Sequence, residues 1–467
     1  MAAIAPESEV HIVMFPWLAF GHISPFVQLA NKLSSHGLKI SFLSAPGNIT
    51  RIQSSLLLTP FAQIIPISIP PVDGLPPNLD STAQMTPPMA ELLKKALDLM
   101  QPQMNSLLIQ LKPHFVIFDP LLHWVPKIAS ELGIKTIAFS VFSAISGAYL
   151  MVPSRSQIAK SGDLLKPPPG FPSTSVTSIN RYEAQDLVYV YKKFNDGPSV
   201  YQRTVEAMSS SNALIVKTCN EMEGAYLDFI GNQFGKNILL TGPLVPNPVP
   251  DSGVNILDEK WRKWLSQFSS KTVTFCSFGS ETFLKDEQIK ELALGLEATS
   301  LPFILVLNFP AGIEAEEELK RTLPEGFIER VKDRGMVHTG WVQQKSILGH
   351  ENVGCFLCHA GFSSLIEGIM NDCQIVLLPL KGDQFLNSRL MGGDLKVGVE
   401  VNRRDEDGYF GKHDVEEAVR KVTMDVEKEP GKSVRMNHEK WRAFLLNSDI
   451  QDKFITDLVE DLKTRID

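Results

Sequence analysis

The chain has 467 residues, 43% apolar and 21% charged, and a formal net charge of −8. This composition excludes a disordered chain, and the acidic balance argues against a nucleic-acid partner, which needs a basic face. The length exceeds one ordinary core and predicts two domains of roughly 200–250 residues each.

The N-terminal MAAIAPESEV has neither a basic segment nor an apolar run, so it does not read as a secretory leader. Residues 11–15 read as a short buried strand. Ser24-Pro25 then signals a helix start and Gly37 its end, which leaves His22 in the loop between. Strands follow at 39–45 and 64–69, a proline-rich loop runs to Pro88, and one long helix covers about 89–111. Residues 115–118 form an apolar strand that delivers Asp119 at its end, and 136–141 is the next strand. The uncharged stretch 136–152 contains serines and a glycine, and reads as a buried strand and helix rather than a membrane span. Residues 154–195 lack clear periodicity, hold Pro167-Pro168-Pro169-Gly170, and read as loops.

Residues 244–256, with three prolines, make the best linker. The expected division is therefore a domain at 1–243, the linker at 244–256 and a second domain at 257–467. After the linker, strands are predicted at 272–276, 303–307, 336–339, 354–358, 375–378 and 397–401, with a charged helical region from Lys412 onward. Strands alternating with helices predict an α/β fold whose parallel sheets are covered on both faces.

Five cysteines make no disulfide framework and fit a reducing compartment, so a cytoplasmic location is expected. Cys355 and Cys358 form a C-x-x-C on a predicted strand, where residues three apart face opposite sides, so they read as core. Asp405-Glu-Asp407 reads D-x-D but lies in a charged loop and reads as a solvated turn.

The richest stretch runs from Trp341 to Gln384: W-V-Q-Q-K-S-I-L-G-H, then F-L-C-H-A-G-F-S-S-L-I-E, then L-P-L-K-G-D-Q. Gly361, Phe362, Ser363 and Ser364 open a helix whose N–H groups attract phosphate oxygens, and His359 and the serine hydroxyls add donors. The Trp341 indole, followed by Val342, offers a face for a base, a contact worth about 1–3 kcal/mol. Glu367, about one turn past Ser364, suits ribose hydroxyls, and Asp383 and Gln384 suit those of a hexose.

This segment resembles the signature box of plant family-1 UDP-glycosyltransferases. Trp341, Gln344, Leu348, His350, His359, Gly361, Ser364, Glu367, Pro379, Asp383 and Gln384 stand at that family's spacing. The box usually reads Trp-Asn where this chain has Phe362-Ser363, so an amide contact to phosphate becomes a hydroxyl contact. The resemblance implies the GT-B architecture: two doubly wound Rossmann-like domains facing each other across a cleft, with terminal helices crossing back to the first. It also implies a metal-independent inverting transferase that uses a UDP-sugar as co-substrate and no other cofactor. The loop Ser277-Phe-Gly-Ser280 resembles the family's second phosphate-side loop.

His22 and Asp119 each follow a strand, where ligands meet open α/β sheets. An imidazole can take a proton near neutral pH, and a carboxylate can hold its second nitrogen. Both match the family's catalytic pair by position and context. His123 is a rival, read as an early helix residue facing the domain surface. Trp17, Phe20, Phe142 and Ser143 are the candidates for lining the acceptor side.

The words M-F-P-W, G-W-V-Q-Q and N-D-C-Q-I-V-L-L-P resemble the branch-forming subgroup, which adds a sugar onto the sugar of a flavonoid or other plant glycoside. Gln384 leans towards UDP-glucose, while UDP-xylose and UDP-rhamnose serve similar proteins. A small-molecule acceptor, no membrane span and a monomer are expected. The competing readings are an aglycone O-glucosyltransferase, a nucleotide-sugar epimerase and a catalytically silent UDP-sugar-binding protein. A nicotinamide enzyme is disfavoured, because the first strand leads into P-W-L-A-F-G-H rather than G-x-G-x-x-G.

Overall fold

A computed structural model describes residues 10–466, apart from 54, 57–59, 77–81, 83–84, 195–196, 246–256, 280–281 and 311. The expected linker from 246 onward and Ser280 therefore lie outside the described residues. The strands are β1 (His11–Phe15), β2 (Lys39–Ser44), β3 (Ala62–Pro66), β4 (Phe115–Phe118), β5 (Lys135–Ser140), β6 (Ala213–Val216) and β7 (Ile238–Leu240). They continue as β8 (Val273–Ser277), β9 (Phe303–Leu307), β10 (Gly335–Thr339), β11 (Val353–Cys358), β12 (Gln374–Leu377) and β13 (Gly398–Glu400).

Two sheets result, ordered β3-β2-β1-β4-β5-β6-β7 and β10-β9-β8-β11-β12-β13, and every strand pairing is parallel. Both are doubly wound. The order reverses between β1 and β4 in the first sheet and between β8 and β11 in the second. Such reversals open a crevice beyond the carboxyl ends of the strands.

Alternating residues explain the layering. Val13 and Phe15 of β1 face one core layer, and Ile12 and Met14 face the other. Val116 and Phe118 of β4 likewise oppose Phe115 and Ile117. With both faces covered, each strand needs apolar side chains throughout. In the second sheet Cys355 and Cys358 of β11 lie in different layers, as their spacing predicts.

The last helix, Ser448–Thr464, returns to the first sheet. Its Ile455, Leu458, Val459 and Leu462 pack with Ile12, Ile137 and Leu239, and Lys135 Nζ donates to the Arg465 carbonyl at 2.6 Å. The stretch 136–152 divides into β5 and the helix Ala144–Leu150. Among the described residues, no helix is long and apolar enough to cross a membrane.

Some local expectations need correction. The first helix runs Phe20–Ser35, not from Ser24, because the N–H groups of His22 and Ile23 already donate to the Ala19 carbonyl at 2.9 and 2.8 Å. Pro25 sits inside that helix and forgoes one hydrogen bond. The single helix expected over 89–111 is two, Pro87–Asp98 and Gln101–Leu111, with Pro102 in the first turn of the second. The expected loop region 154–195 contains the helix Arg181–Leu187, opened by a capping box between Asn180 and Glu183.

Candidate active site

His22 follows β1 and Asp119 follows β4, so the first switch point brings them together. The backbone N–H of Asp119 donates to the Phe15 carbonyl at 3.0 Å, which pins the end of β4 beside the end of β1. His22 Nδ1 then lies 2.6 Å from Asp119 Oδ2. A carboxylate only accepts, so Nδ1 carries the hydrogen of this bond. Asp119 is buried, and its other oxygen accepts from the Leu121 N–H at 3.0 Å. The carboxylate is held from both sides and in turn fixes the imidazole. His22 stands in the first turn of a helix rather than in the loop expected from sequence.

The Phe142 ring meets His22 edge-on, centroids 5.2 Å apart, and stays partly exposed. Ser143 is buried and reaches the second lobe, where its hydroxyl donates to Asn387 Oδ1 at 2.6 Å. Phe20 is half-buried beside His22 in sequence. Trp17 is a core residue at 5% exposure, packed with the first lobe's apolar interior, so its indole does not line an open surface. His123 is not at the domain surface either. It is tucked against Arg203 Nη1 at 3.2 Å beside the Arg203–Asp98 ion pair, and burial lowers its pKa.

The second lobe repeats the logic at its own switch point. His359 follows β11 and packs beside the loop after β8. A Cβ on Gly361 would fall 2.6 Å from His359 Nε2, and one on Gly279 (φ +73) would fall 3.1 Å from its Cε1. Only glycine at both positions admits the ring. His359 Nδ1 is shut from solvent and has no hydrogen-bond partner, and burial, with a smaller contribution from Lys381, holds the pKa down at about 4. The ring is therefore neutral at physiological pH.

Gly361 precedes the helix Phe362–Met370, whose first N–H groups point out at Ser363 and Ser364. Phe362 itself is buried in the core, so only its backbone can address a ligand. Gln344 Nε2 donates to Glu367 Oε2 at 2.9 Å and lies 3.4 Å from Ser364 Oγ, which fixes the acidic group along the helix. Trp341 is 75% exposed, so its indole face is open. Val342, next to it, is half-buried against the core.

Asp383 is half-buried and accepts from Asn387 Nδ2 at 2.9 Å; burial raises its pKa, while Asn387 and the nearby His22 oppose the shift. Thus the first-lobe histidine and the second-lobe aspartate share one electrostatic environment. Gln384 Oε1 accepts from the N–H groups of Leu380 and Lys381 at 3.0 and 3.1 Å. The carbonyl half of that amide is committed to its own loop.

Four contributors were not foreseen from sequence. Asn387 bridges the lobes and also donates to the Ala360 carbonyl at 3.0 Å, holding a residue whose φ is +61°. Asn308 ties the loop after β8 to the one after β10, donating to the Gly279 carbonyl at 2.9 Å and accepting from the Gly340 N–H at 3.0 Å. Asp186 of the first lobe accepts from the Gly382 N–H at 2.8 Å, beside Asp383. Lys217, just past β6, places its Nζ 2.6 Å from Ser363 Oγ. None lies in a local motif: Asn387, Asp186 and Lys217 depend on how the two lobes meet, and Asn308 on how two loops of the second lobe do.

The D-x-D residues are occupied otherwise. Asp405 pairs with Arg181 at 3.3 Å and Asp407 with Arg404 at 2.7 Å. No group of three or more His, Cys, Asp or Glu suited to a metal ion occurs among the described residues. A hollow of about 650 Å³ on the first lobe, between Pro153, Tyr201 and Gln202, shares no lining residue with the cleft.

Comparisons with known proteins agree with this geometry. Residues 8–246 match the model of the glycosyltransferase N-terminal domain, and residues 173–432 match that of UDP-glucoronosyl and UDP-glucosyl transferases. An anthocyanidin-3-O-glucoside rhamnosyltransferase of Petunia hybrida is 57% identical over 460 residues, spanning 98% of this chain and 96% of the relative. An anthocyanidin 3-O-glucoside 2'''-O-xylosyltransferase of Arabidopsis thaliana is 40% identical over 463 residues, spanning 98% and 97%. Among solved structures, Arabidopsis thaliana UGT89C1 complexed with UDP-L-rhamnose superposes with a TM-score of 0.76 at 21% identity, over 97% of this chain and 98% of that one, which establishes the GT-B fold. The chain is an enzyme of the plant family-1 UDP-glycosyltransferases and belongs to their branch-forming glycoside subgroup.

Proposed function

We propose that this enzyme transfers a sugar from a UDP-sugar to a sugar hydroxyl of a flavonoid glycoside, with inversion. In this reading Asp119 holds His22 by Nδ1–H, and the ring's other nitrogen takes the proton of the acceptor hydroxyl. The acceptor oxygen forms a bond to the anomeric carbon. The bond from that carbon to the β-phosphate oxygen breaks, and its electron pair leaves with UDP. His359, Ser363, Ser364 and the N–H groups of the helix they open face the diphosphate. Trp341 stacks on uracil, Glu367 accepts from the ribose, and Asp383 and Gln384 address the transferred sugar. Phe142, Ser143 and Phe20 border the acceptor. The reading uses no metal: the helix N–H groups, His359 and Ser364 carry the leaving group's charge.

The donor sugar we favour is rhamnose rather than glucose. The 57% identical relative is named a rhamnosyltransferase. Gln384, the residue that pointed to glucose, has only its NH₂ left to meet a sugar, since its carbonyl accepts two backbone N–H groups. The His22–Asp119 contact of 2.6 Å carries the catalytic reading and speaks against a silent binding protein. The test is mass spectrometry on UDP-rhamnose, UDP-glucose and UDP-xylose, each against flavonoid aglycones and their monoglucosides. Product from monoglucosides with UDP-rhamnose is expected. Product only from aglycones overturns the branching assignment, and product only with UDP-glucose overturns the donor.

A further inference from the structure

Lys217 is only 1% exposed, one of the largest fully buried side chains, and it comes from the first lobe. Its backbone N–H donates to the Ser140 carbonyl at 3.1 Å, fixing it at the carboxyl end of the first sheet. From there the side chain crosses to the second lobe. Nζ donates to Ser363 Oγ at 2.6 Å and lies 5.7 Å from the centre of the Phe362 ring. Ser363 is itself exposed, so this contact stands at the edge of the cleft, at the first turn of the helix Phe362–Met370.

The charges facing the ammonium do not balance it. Glu367 attracts it and Lys345 repels it. Glu367 is already engaged by Gln344 at 2.9 Å and by Lys345 at 3.8 Å. Among the described residues, no carboxylate lies within ion-pair distance of Lys217 Nζ. Burial accordingly lowers its pKa to about 8. A buried cation whose direct partner is one hydroxyl is costly, and the cost is relieved by an anion. The exposed serine it touches belongs to the turn that meets the diphosphate.

We propose that Lys217 is a catalytic residue: its ammonium meets the diphosphate of the sugar nucleotide beside Ser363 and takes up charge as the sugar leaves. The proposal rests on the donor reading above and deepens it. As the bond between the anomeric carbon and the β-phosphate oxygen breaks, negative charge grows on that oxygen, and the ammonium stabilises it without giving up its proton. The first lobe then supplies both the base for the acceptor and a cation for the leaving group, so both functions are completed only when the lobes meet.

The experiment compares Lys217→Met and Lys217→Arg with the wild-type enzyme, using calorimetry with UDP and with uridine. For Lys217→Met, UDP affinity falls by about 10-fold or more, as for a lost charge-assisted hydrogen bond, while uridine affinity holds. Turnover falls with it, and Lys217→Arg recovers part of both. The ligand-free Met variant melts no lower than wild type, because an unbalanced buried charge has been removed. A second arm needs no variant. Between pH 7.5 and 9 the free ammonium, its pKa lowered to about 8, gives up its proton, so within that range binding of UDP to the wild-type enzyme takes up a proton, seen as buffer-dependent heat, whereas uridine binding does not. Equal UDP affinity and turnover in Lys217→Met, or no proton uptake, overturns the role of Lys217 alone. Failure of the wild-type enzyme to bind UDP better than uridine overturns the donor reading as well.

Discussion

Ser143 of the first lobe donates to Asn387 Oδ1 of the second at 2.6 Å, and the same amide's nitrogen donates to Ala360 and Asp383. One side chain thus sets the distance between the lobes, the left-handed turn after His359 and the rotamer of the Asp383 carboxylate. Replacing Asn387 with Ala leaves buried groups unsatisfied, each costing about 1–3 kcal/mol. The expected outcome is a donor KM raised about 10-fold, with a lower unfolding midpoint. Steady-state kinetics at saturating acceptor check it, and an unchanged donor KM shows that Asp383 does not depend on this bridge.

Asp119→Asn tests the orienting role. An amide can donate to Nδ1 as well as accept from it, so it no longer enforces the tautomer that leaves the other nitrogen basic. Turnover should fall by about 10²–10⁴, with the melting temperature nearly unchanged. Acceptor kinetics and thermal unfolding, measured on the same preparation, separate the two effects.

Arg389 holds the lobes together electrostatically. Its guanidinium lies 2.9 Å from fully buried Glu183 of the first lobe and 2.7 Å from Glu400 of the second. Arg389→Met strands Glu183 without its cation, which should cost about 3–5 kcal/mol in urea unfolding. Adding Glu183→Gln to that variant should recover part of the loss. A loss below about 1 kcal/mol in the single variant would place Glu183 among weak surface-like pairs.

His438 gives the fold a pH dependence away from the site. It is fully buried, its Nε2 meets the Cys373 carbonyl at 3.0 Å, and burial depresses its pKa from 6.5 to about 4. Because the folded value is the lower one, the unfolded chain binds the proton first. The stability carried by the neutral ring is complete above about pH 6.5 and is lost as pH falls towards 4. Wild type should therefore lose stability relative to His438→Gln across that window and track it above. Urea unfolding at stepped pH reads the difference, and parallel curves from pH 7 to 4 contradict the assignment.

Much of the fold was legible because buried parallel strands are uninterrupted apolar runs, as in 115–118 and 303–307. β6 and β7 were not identified: Ala213–Val216 and Ile238–Leu240 are too short to differ from any apolar patch. The start of the first helix was misplaced because Ala19 provides no side-chain cap, whereas Ser24-Pro25 carries the usual signal. The segment from Trp341 to Gln384 was readable because its residues are local, set by neighbouring strands, turns and helices. Lys217, Asn387, Arg389 and Asp186 were not, because each acts across the lobes and tertiary packing alone chooses its partner. Trp17 misled for the same reason: its sequence neighbourhood is that of His22, but its side chain turns into the core.

The central claim is that a first-lobe imidazole removes the acceptor's proton while the second lobe holds UDP. His22→Ala separates the two, since it removes the base and leaves His359, Ser364, Glu367 and Trp341 in place. The measurement is turnover together with UDP affinity by calorimetry. The account predicts turnover lower by about 10²–10⁴ with UDP affinity unchanged. Turnover close to wild type, or UDP binding lost along with it, would contradict it.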